Sequence, residues 1–555
     1  MDRTVELGSD LGVEFAAVEP GPAIDSERPP SWIQHQRDGA QPSEVRYQAR
    51  QRAFHLRWRL EDGDRFASAE LDRLIEEAEQ QEWPEVVRAG LYSAVHRARI
   101  ANDGSLAPAI DRMREQAESD GDPTSIALAL TFEMERWLIR QDPGLSAEVD
   151  RELARVTVML EAADGWALER VAGHNRCAIM YGQRHLWELA DEQYAVAERL
   201  LTECESTRHK AALLFNRAEA ELDWACVLRE IGDLEGVAAR CRTGAEALRA
   251  TGEVVMPPSW RSELAVIGVL LGAVGGKDNS EQARTLIEDH AGGAEYAGHL
   301  HLAMALAPDS VGAGPAAEAA ALAAELTDPV TTPSVHDLAL CVASELEAAR
   351  GGGDTAGLRY AKRQRELRWG TRLSTLATMR NLIQAERSRV EHALLRRDAF
   401  LDELTGLANR RGFHQYVSGL VSRDVEKVAM LLVDVDAFKS VNDNYGHATG
   451  DATLARLANI LAKSVRPGDL AVRIGGDEFV ILLADTEVDV ARDRAHALLV
   501  AMVSEPWWEI HPDLQVTVCI GIAAGHPSRI DELAARADAA LYRAKAAGGG
   551  RYATS

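Results

Sequence analysis

The chain is short of positive charge: 61 Lys and Arg stand against 87 Asp and Glu, a formal net charge of −26. That balance excludes a broad nucleic-acid surface or a polybasic face for anionic membranes, but leaves room for a local nucleotide site. Long apolar runs are missing too. The most apolar stretch, Leu264 to Gly276, is about thirteen residues long, against the ~20 that a membrane-spanning helix needs. No basic-then-apolar leader opens the chain, so a cytoplasmic protein with no membrane partner is expected. The six cysteines (Cys177, Cys204, Cys226, Cys241, Cys341, Cys519) show neither C-x-x-C pairs nor metal-ligand spacing. They read as free thiols in a reducing compartment.

What is present is enough apolar matter, 46% of 555 residues, for several cores. Residues 1–40 carry Pro20, Pro22, Pro29 and Pro30 without periodicity, and read as a flexible tail. Residues 41–365 are rich in Ala, Leu, Glu and Arg at helical spacing. Helix starts recur near Pro84, Pro123, Ala167 and Lys210, a step of about 40 residues. Breaks follow at Asn102 to Gly104, Asp142 to Gly144, Gly182-Gln183 and Gly232-Asp233, and a second helix then begins, as at Leu234. This predicts an all-α solenoid of helix pairs similar to tetratricopeptide repeats, with HEAT-like pairs as the alternative and a concave surface for an unknown protein or peptide partner. Gly275-Gly276-Lys277 lacks the Ser or Thr and the glycine spacing of a phosphate loop, and reads as a helix end. Over 366–401 a 4-3 spacing visits Trp369, Leu373, Leu376, Arg380, Ile383, Arg387, Val390, Leu394, Arg397 and Leu401. That pattern predicts a dimerising coiled-coil helix weakened by three arginines; a helix packed on its own domain is the other reading.

The rest of the chain, 402–555, turns on Arg473-Ile474-Gly475-Gly476-Asp477-Glu478-Phe479. Two glycines between the apolar runs Leu470–Ile474 and Phe479–Leu483 predict a hairpin, since glycine tolerates positive φ. Two acids at its tip repel each other unless a cation or a shared proton relieves them. About forty residues upstream, the apolar run from Val428 ends in Asp434-Val435-Asp436. With helices near 449–463, 487–503 and 530–546 and a strand from Gln515 to Ala523, the order is β-α-β-β-α-β, a ferredoxin-like α+β unit. In that unit the first strand and the hairpin become neighbours, bringing Asp434 near Asp477. Carboxylates from two strands make a hard-cation site suited to Mg²⁺ and a triphosphate, and so to nucleotidyl transfer.

These residues resemble the GGDEF-domain diguanylate cyclases. The resemblance runs from about Asp402 to Tyr552 and rests on Asp402 to Arg411, Asp434 to Asp451, Arg473 to Phe479, and Arg536 to Lys545. It implies a palm-type nucleotidyl cyclase domain that condenses two GTP into cyclic di-GMP, releasing two pyrophosphates, in a homodimer. Carried over by position, Asp434, Asp477 and the Val435 carbonyl bind Mg²⁺ (or Mn²⁺), while Glu478 holds a second metal or acts as a base. Asn442 and Asp451 read guanine, since a carboxylate accepts from N–H groups that adenine does not present. Asp451 by itself also reads as a helix cap near Thr449-Gly450. Phe438 and Lys439 lie where the family touches phosphate, and Lys545 matches a phosphate-contacting lysine. Arg466 and Asp469 fall at the offset of the family's product-inhibition site; a local ion pair is the plainer reading of Arg-x-x-Asp. One departure stands out: the family's arginine four residues after the lysine is Gly549 here, and Arg551 comes two later. The alternative function is therefore a weak or inactive module that switches partners on binding GTP or cyclic di-GMP.

Overall fold

The computed structural model describes residues 42–139, 146–204, 206–252, 254, 256–290, 293, 296–351 and 356–555. The expected tail (1–40) and the breaks at 142–144 and 352–354 lie outside them. The described chain forms two compact units that divide between Arg387 and Ser388. None of the helices formed by described residues is long and apolar enough to cross a membrane. All six cysteines are free; Cys204 and Cys241 are half-buried and the others buried.

The first unit is helical throughout its described length. Helices begin at Pro84, Pro123, Ala167 and Thr207, and a further one spans Leu234–Thr251. The proline at N1 of Pro84–Ala101 suits a position with no amide partner to lose. The spacing then lapses: Thr207–Ile231 has 25 residues, whereas Ser280–Glu288 and Ala297–Ala305 have nine each. One core gathers Phe54, Leu71, Tyr92 and Phe132, and another Leu222, Leu270, Leu302 and Val335.

Ala356–Phe400 is a single 45-residue helix, so residue 365 lies inside it and ends no element. Its 4-3 seam is only partly open over its first half, where Leu373 is 44% exposed. Leu376 and Ile383 are 8% and 4% exposed, and Trp369 packs against the helical core. The arginines that would weaken a coiled coil instead pair within the chain. Arg387 meets Glu161 with two bonds (2.6 and 2.9 Å), and Arg380 reaches Glu192 at 3.6 Å. Up to Arg387 the helix thus packs in part on its own unit, as the second of the two expected readings has it. Farther on, Val390 and Leu401 are half-buried, while the side chains of Leu394 and Arg397 fall outside the described residues.

The second unit has helices α1 (Arg410–Ser422), α2 (Phe438–Tyr445), α3 (His447–Ser464), α4 (Val488–Ser504) and α5 (Ile530–Ala546). Its strands are β1 (Val428–Val435), β2 (Leu470–Gly475), β3 (Glu478–Ala484), β4 (Val518–Gly525) and β5 (Tyr552–Thr554). They form one mixed sheet in the order β2-β3-β1-β4-β5, antiparallel except for β4–β5. The expected β-α-β-β-α-β order is present. The short helix α2 and the strand β5 are additions to it, and β4 begins three residues later than Gln515.

Strand parity places the site. Along β1, Ala429, Leu431, Val433 and Val435 face the core beneath α3 and α4. Val428 and Met430 face the opposite core, with α1 and α5. Asp434 belongs to that second set, because side chains two apart share a face. It therefore ends β1 on the side covered by α5. That helix lies unusually close to β4. A Cβ on Gly521 would stand 2.1 Å from the Ala537 carbonyl oxygen, so only glycine permits the approach.

Candidate active site

The hairpin tip is braced from below. Arg473 donates from Nε and Nη2 to the Gly476 carbonyl (3.0 and 2.8 Å) and from Nη1 to Asp402 Oδ1 (2.9 Å). The same Asp402 oxygen accepts from Thr405 N and Oγ1 at 3.0 and 2.7 Å. Partial burial pushes the Asp402 carboxyl up, but the Thr405 and Arg473 bonds outweigh it and hold the group below its usual range. In the same stretch Asn409 caps α1, its Oδ1 accepting from Arg411 N and Gly412 N at 2.9 and 3.1 Å. The link from Asp402 to the hairpin was not legible in sequence.

Register sets Asp434 directly across from Glu478, with Asp477 next to it in the turn. Asp434 is 7% exposed, Asp477 half-buried and Glu478 exposed. Lys545, carried by α5, meets Asp434 with Nζ–Oδ1 at 2.6 Å. Burial raises the Asp434 carboxyl and its neighbours Asp477 and Asp436 add to this, while Lys545 opposes it. For Lys545 burial works downward, and Asp434 outweighs it to raise the ammonium. A buried carboxyl crowded by two others is a place where a cation relieves repulsion. Among the described residues no three His, Cys, Asp or Glu side chains gather as a protein cage. Mg²⁺ needs none, since it keeps waters and substrate phosphates beside one or two carboxylates. Asp434 and Asp477, with the Val435 carbonyl, fit that donor set.

A cavity of about 370 Å³ opens beside Asp434, floored by Lys545, Gly548 and Gly549. The second acid, Asp436, ties its rim. Its Oδ2 accepts from Thr517 Oγ1 and Gly550 N, both at 2.7 Å, and its Oδ1 from Cys519 Sγ at 2.9 Å. The three glycines all have positive φ, and Asp436 pins the turn they make. The sequence showed Asp436 but offered no signal for Thr517 or Gly550 as its partners. Arg551 folds back over the glycine turn, with Nη2 3.7 Å from where a Cβ on Gly548 would stand. It donates from Nε to the Gly549 carbonyl (3.0 Å) and lines a separate cavity with His496 and Val503 of α4.

The two expected guanine readers lie on two helices in contact, α2 and α3. Gly450, the neighbour of Asp451, lies against Asn442, where a Cβ would be 2.0 Å from Asn442 Oδ1. That buried oxygen has no hydrogen-bond partner among the described residues, an acceptor that guanine N–H groups would satisfy. Asp451 is exposed and lies within α3, whose N-cap is Gly446, so the capping reading falls. Phe438 is half-buried at the first turn of α2, Lys439 is exposed, and Ala437 before them holds φ at 55°. A non-glycine residue in that region stores strain, a frequent mark of functional turns. Arg466 and Asp469 lie elsewhere, at the far end of β3. They pair at 3.4 Å, and both bind the Ala484 backbone, Arg466 Nη2 to its O and Asp469 Oδ1 to its N.

Residues 399–551 match the family described as "Diguanylate cyclase, GGDEF domain". The response regulator PleD of Caulobacter vibrioides is 38% identical over 169 residues, covering 29% of this chain and 37% of that protein. Diguanylate cyclase DgcM of Escherichia coli is 41% identical over 161 residues, covering 28% and 37%. The chain thus spans little more than a third of the length of these curated relatives. Among solved structures, the coiled coil and GGDEF domain of DgcB from Caulobacter crescentus in complex with c-di-GMP is 27% identical. It covers 34% of this chain and 99% of that one, with a TM-score of 0.30.

Proposed function

We propose that this chain, whose residues 399–551 are a GGDEF domain, is a diguanylate cyclase that joins two GTP into cyclic di-GMP. The observation that carries the reading is Asp434 held opposite Glu478 by strand register, with Lys545 on its carboxylate. Guanine would lie between Asn442 and Asp451, with the triphosphate running over Phe438, Lys439 and the glycine turn toward Lys545. Bound at Asp434, Asp477 and the Val435 carbonyl, Mg²⁺ would supply charge neutralisation and acidify the attacking hydroxyl. Lys545 then turns from Asp434 to the phosphates, so its positive charge stays at the site throughout. Each 3′-hydroxyl oxygen bonds to the α-phosphorus of the other GTP, the α–β bridging bond breaks, and pyrophosphate leaves. Exposed Glu478 is placed to take the hydroxyl proton or to add a carboxylate to the metal site. Because each half-site holds one GTP, two copies of the chain must meet.

In this reading the helical unit, built of pairs of tetratricopeptide type, binds a protein or peptide and regulates the cyclase. Product would feed back through Arg466 and Asp469. One observation favours a second reading, a nucleotide-responsive switch of low turnover: Gly549 stands where the family carries its arginine, and Arg551 comes two residues later. Incubation of the purified chain with Mg²⁺ and GTP, with products resolved by chromatography, separates the two. Cyclic di-GMP is expected from the native chain, and turnover lower by on the order of 10²–10³ from Asp477→Ala and Glu478→Ala. GTP binding without product, even at high protein concentration, would establish the switch.

A further inference from the structure

The helical unit contains a cleft of about 460 Å³ that the proposed chemistry does not use, a size within the roughly 300–1,000 Å³ of small-molecule sites. Helix Ala356–Phe400 forms one wall through Arg368, Trp369 and Arg372, and Trp187 and Glu230 face it. Trp187 is 2% exposed and stacks on Trp224 at 6.0 Å between ring centres. The Arg372 guanidinium lies 4.9 Å from the Trp187 ring and 4.5 Å from the Trp369 ring, held between two indoles. Arg372 also pairs with Glu188 and donates to the His185 carbonyl at 2.7 Å. Arg368 pairs with Asp337 and reaches Glu230 Oε2 at 3.2 Å.

These bonds leave three polar atoms over. Arg372 Nη1, Trp187 Nε1 and Glu230 Oε1 have no hydrogen-bond partner among the described residues, and all three side chains are at least nine-tenths buried. Burial, helped by Asp337, pushes the Glu230 carboxyl up to about 8 against the pull of Arg368 and Arg365. It therefore carries its proton at neutral pH. Protonated, it joins the guanidinium and the indole as a third unpaired donor, with no unpaired acceptor beside them. Buried polar groups without partners are rare in folded proteins, and a set that is all donors calls for an acceptor-rich guest. Arg372 and Trp224 already cover Trp187, but the half-buried Trp369 at the cleft's wall leaves an aromatic surface beside which a flat guest fits.

We propose that this cleft binds a small planar aromatic anion, its ring beside the half-buried Trp369 and its carboxylate or sulfonate accepting from Arg372 Nη1 and Glu230. The guest would thereby rest on the helix that runs on to Phe400, where the GGDEF domain begins.

8-Anilinonaphthalene-1-sulfonate, a planar aromatic anion, serves as the probe on the full chain, read by its emission and by quenching of tryptophan. Saturable binding at one probe per chain is expected, competed by indole-3-carboxylate and not by inorganic phosphate. Glu230→Gln, which keeps a donor, should bind within about threefold of the native chain, whereas Glu230→Met should weaken binding about tenfold. Arg368→Met, at a half-exposed position, should also weaken it and guards against a Glu230 variant that fails to fold. Unsaturable binding, or equal affinity in Glu230→Met and Arg368→Met with melting temperatures unchanged, would overturn the proposal.

Discussion

Asp436 shows how a residue can be conspicuous in sequence and still have its role hidden. It stands two places from Asp434, and both acids share the α5 face of the sheet. Yet Asp434 faces Lys545, while Asp436 is consumed by Thr517, Cys519 and the Gly550 amide. Three consecutive glycines have more backbone freedom than any other tripeptide. Without an anchor, the turn beside Lys545 would not hold one shape. Asp436→Ala should therefore raise the KM for GTP about tenfold or more, as loss of an outer supporting group does, while kcat changes less. Steady-state kinetics with melting temperature as a control check this; an unchanged KM would remove Asp436 from the positioning of substrate.

At the scale of elements, the contact between β4 and α5 decides where the Lys545 ammonium stands. Gly521 is the point of closest approach, with its missing Cβ 2.1 Å from Ala537 O and 2.5 Å from Leu541 N. Lys545 lies one helical turn beyond Leu541. Gly521→Ala should push α5 outward, at a cost of roughly 1–3 kcal/mol by analogy with overpacked cores. The same shift should weaken GTP binding by separating Lys545 from Asp434. Denaturant unfolding and nucleotide titration of the same variant measure the two effects. Native affinity in a destabilised variant would mean that Lys545 needs no such precise support. The hairpin follows a similar logic: β2 and β3 carry Asp477, but Arg473 and Asp402 orient it.

For the whole molecule, the long helix from Ala356 is where periodicity left two readings open. A 4-3 apolar stripe marks a helix that buries one face and is silent about whose surface covers it. Here Leu376 and Ile383 are covered by the chain's own helices, whereas Leu373 remains 44% exposed. Ile383→Asp should destabilise the helical unit by on the order of 3 kcal/mol or more, because it buries an unpaired charge. Leu373→Asp should stay within about 0.5 kcal/mol. Unfolding followed by tryptophan emission separates this from a coiled-coil seam, which would make Leu373→Asp dissociate a dimer and leave Ile383 no more sensitive.

What the sequence determined alone was whatever depends on neighbours along the chain. The Gly475-Gly476 turn, the apolar strand ending at Asp434, the helix starts at Pro84, Pro123 and Ala167, and the spacing of the acidic motifs were all legible. Each follows from local conformational preference or short-range periodicity. Tertiary structure decided which distant side chains share a face. The Lys545–Asp434 pair, the brace of Asp402 on Arg473, the turn pinned by Asp436 and the cavity that Arg551 shares with α4 each join segments many residues apart. The physical reason is that such contacts arise from sheet register and helix docking, which are fixed by packing of the whole core and leave no periodic trace in the chain.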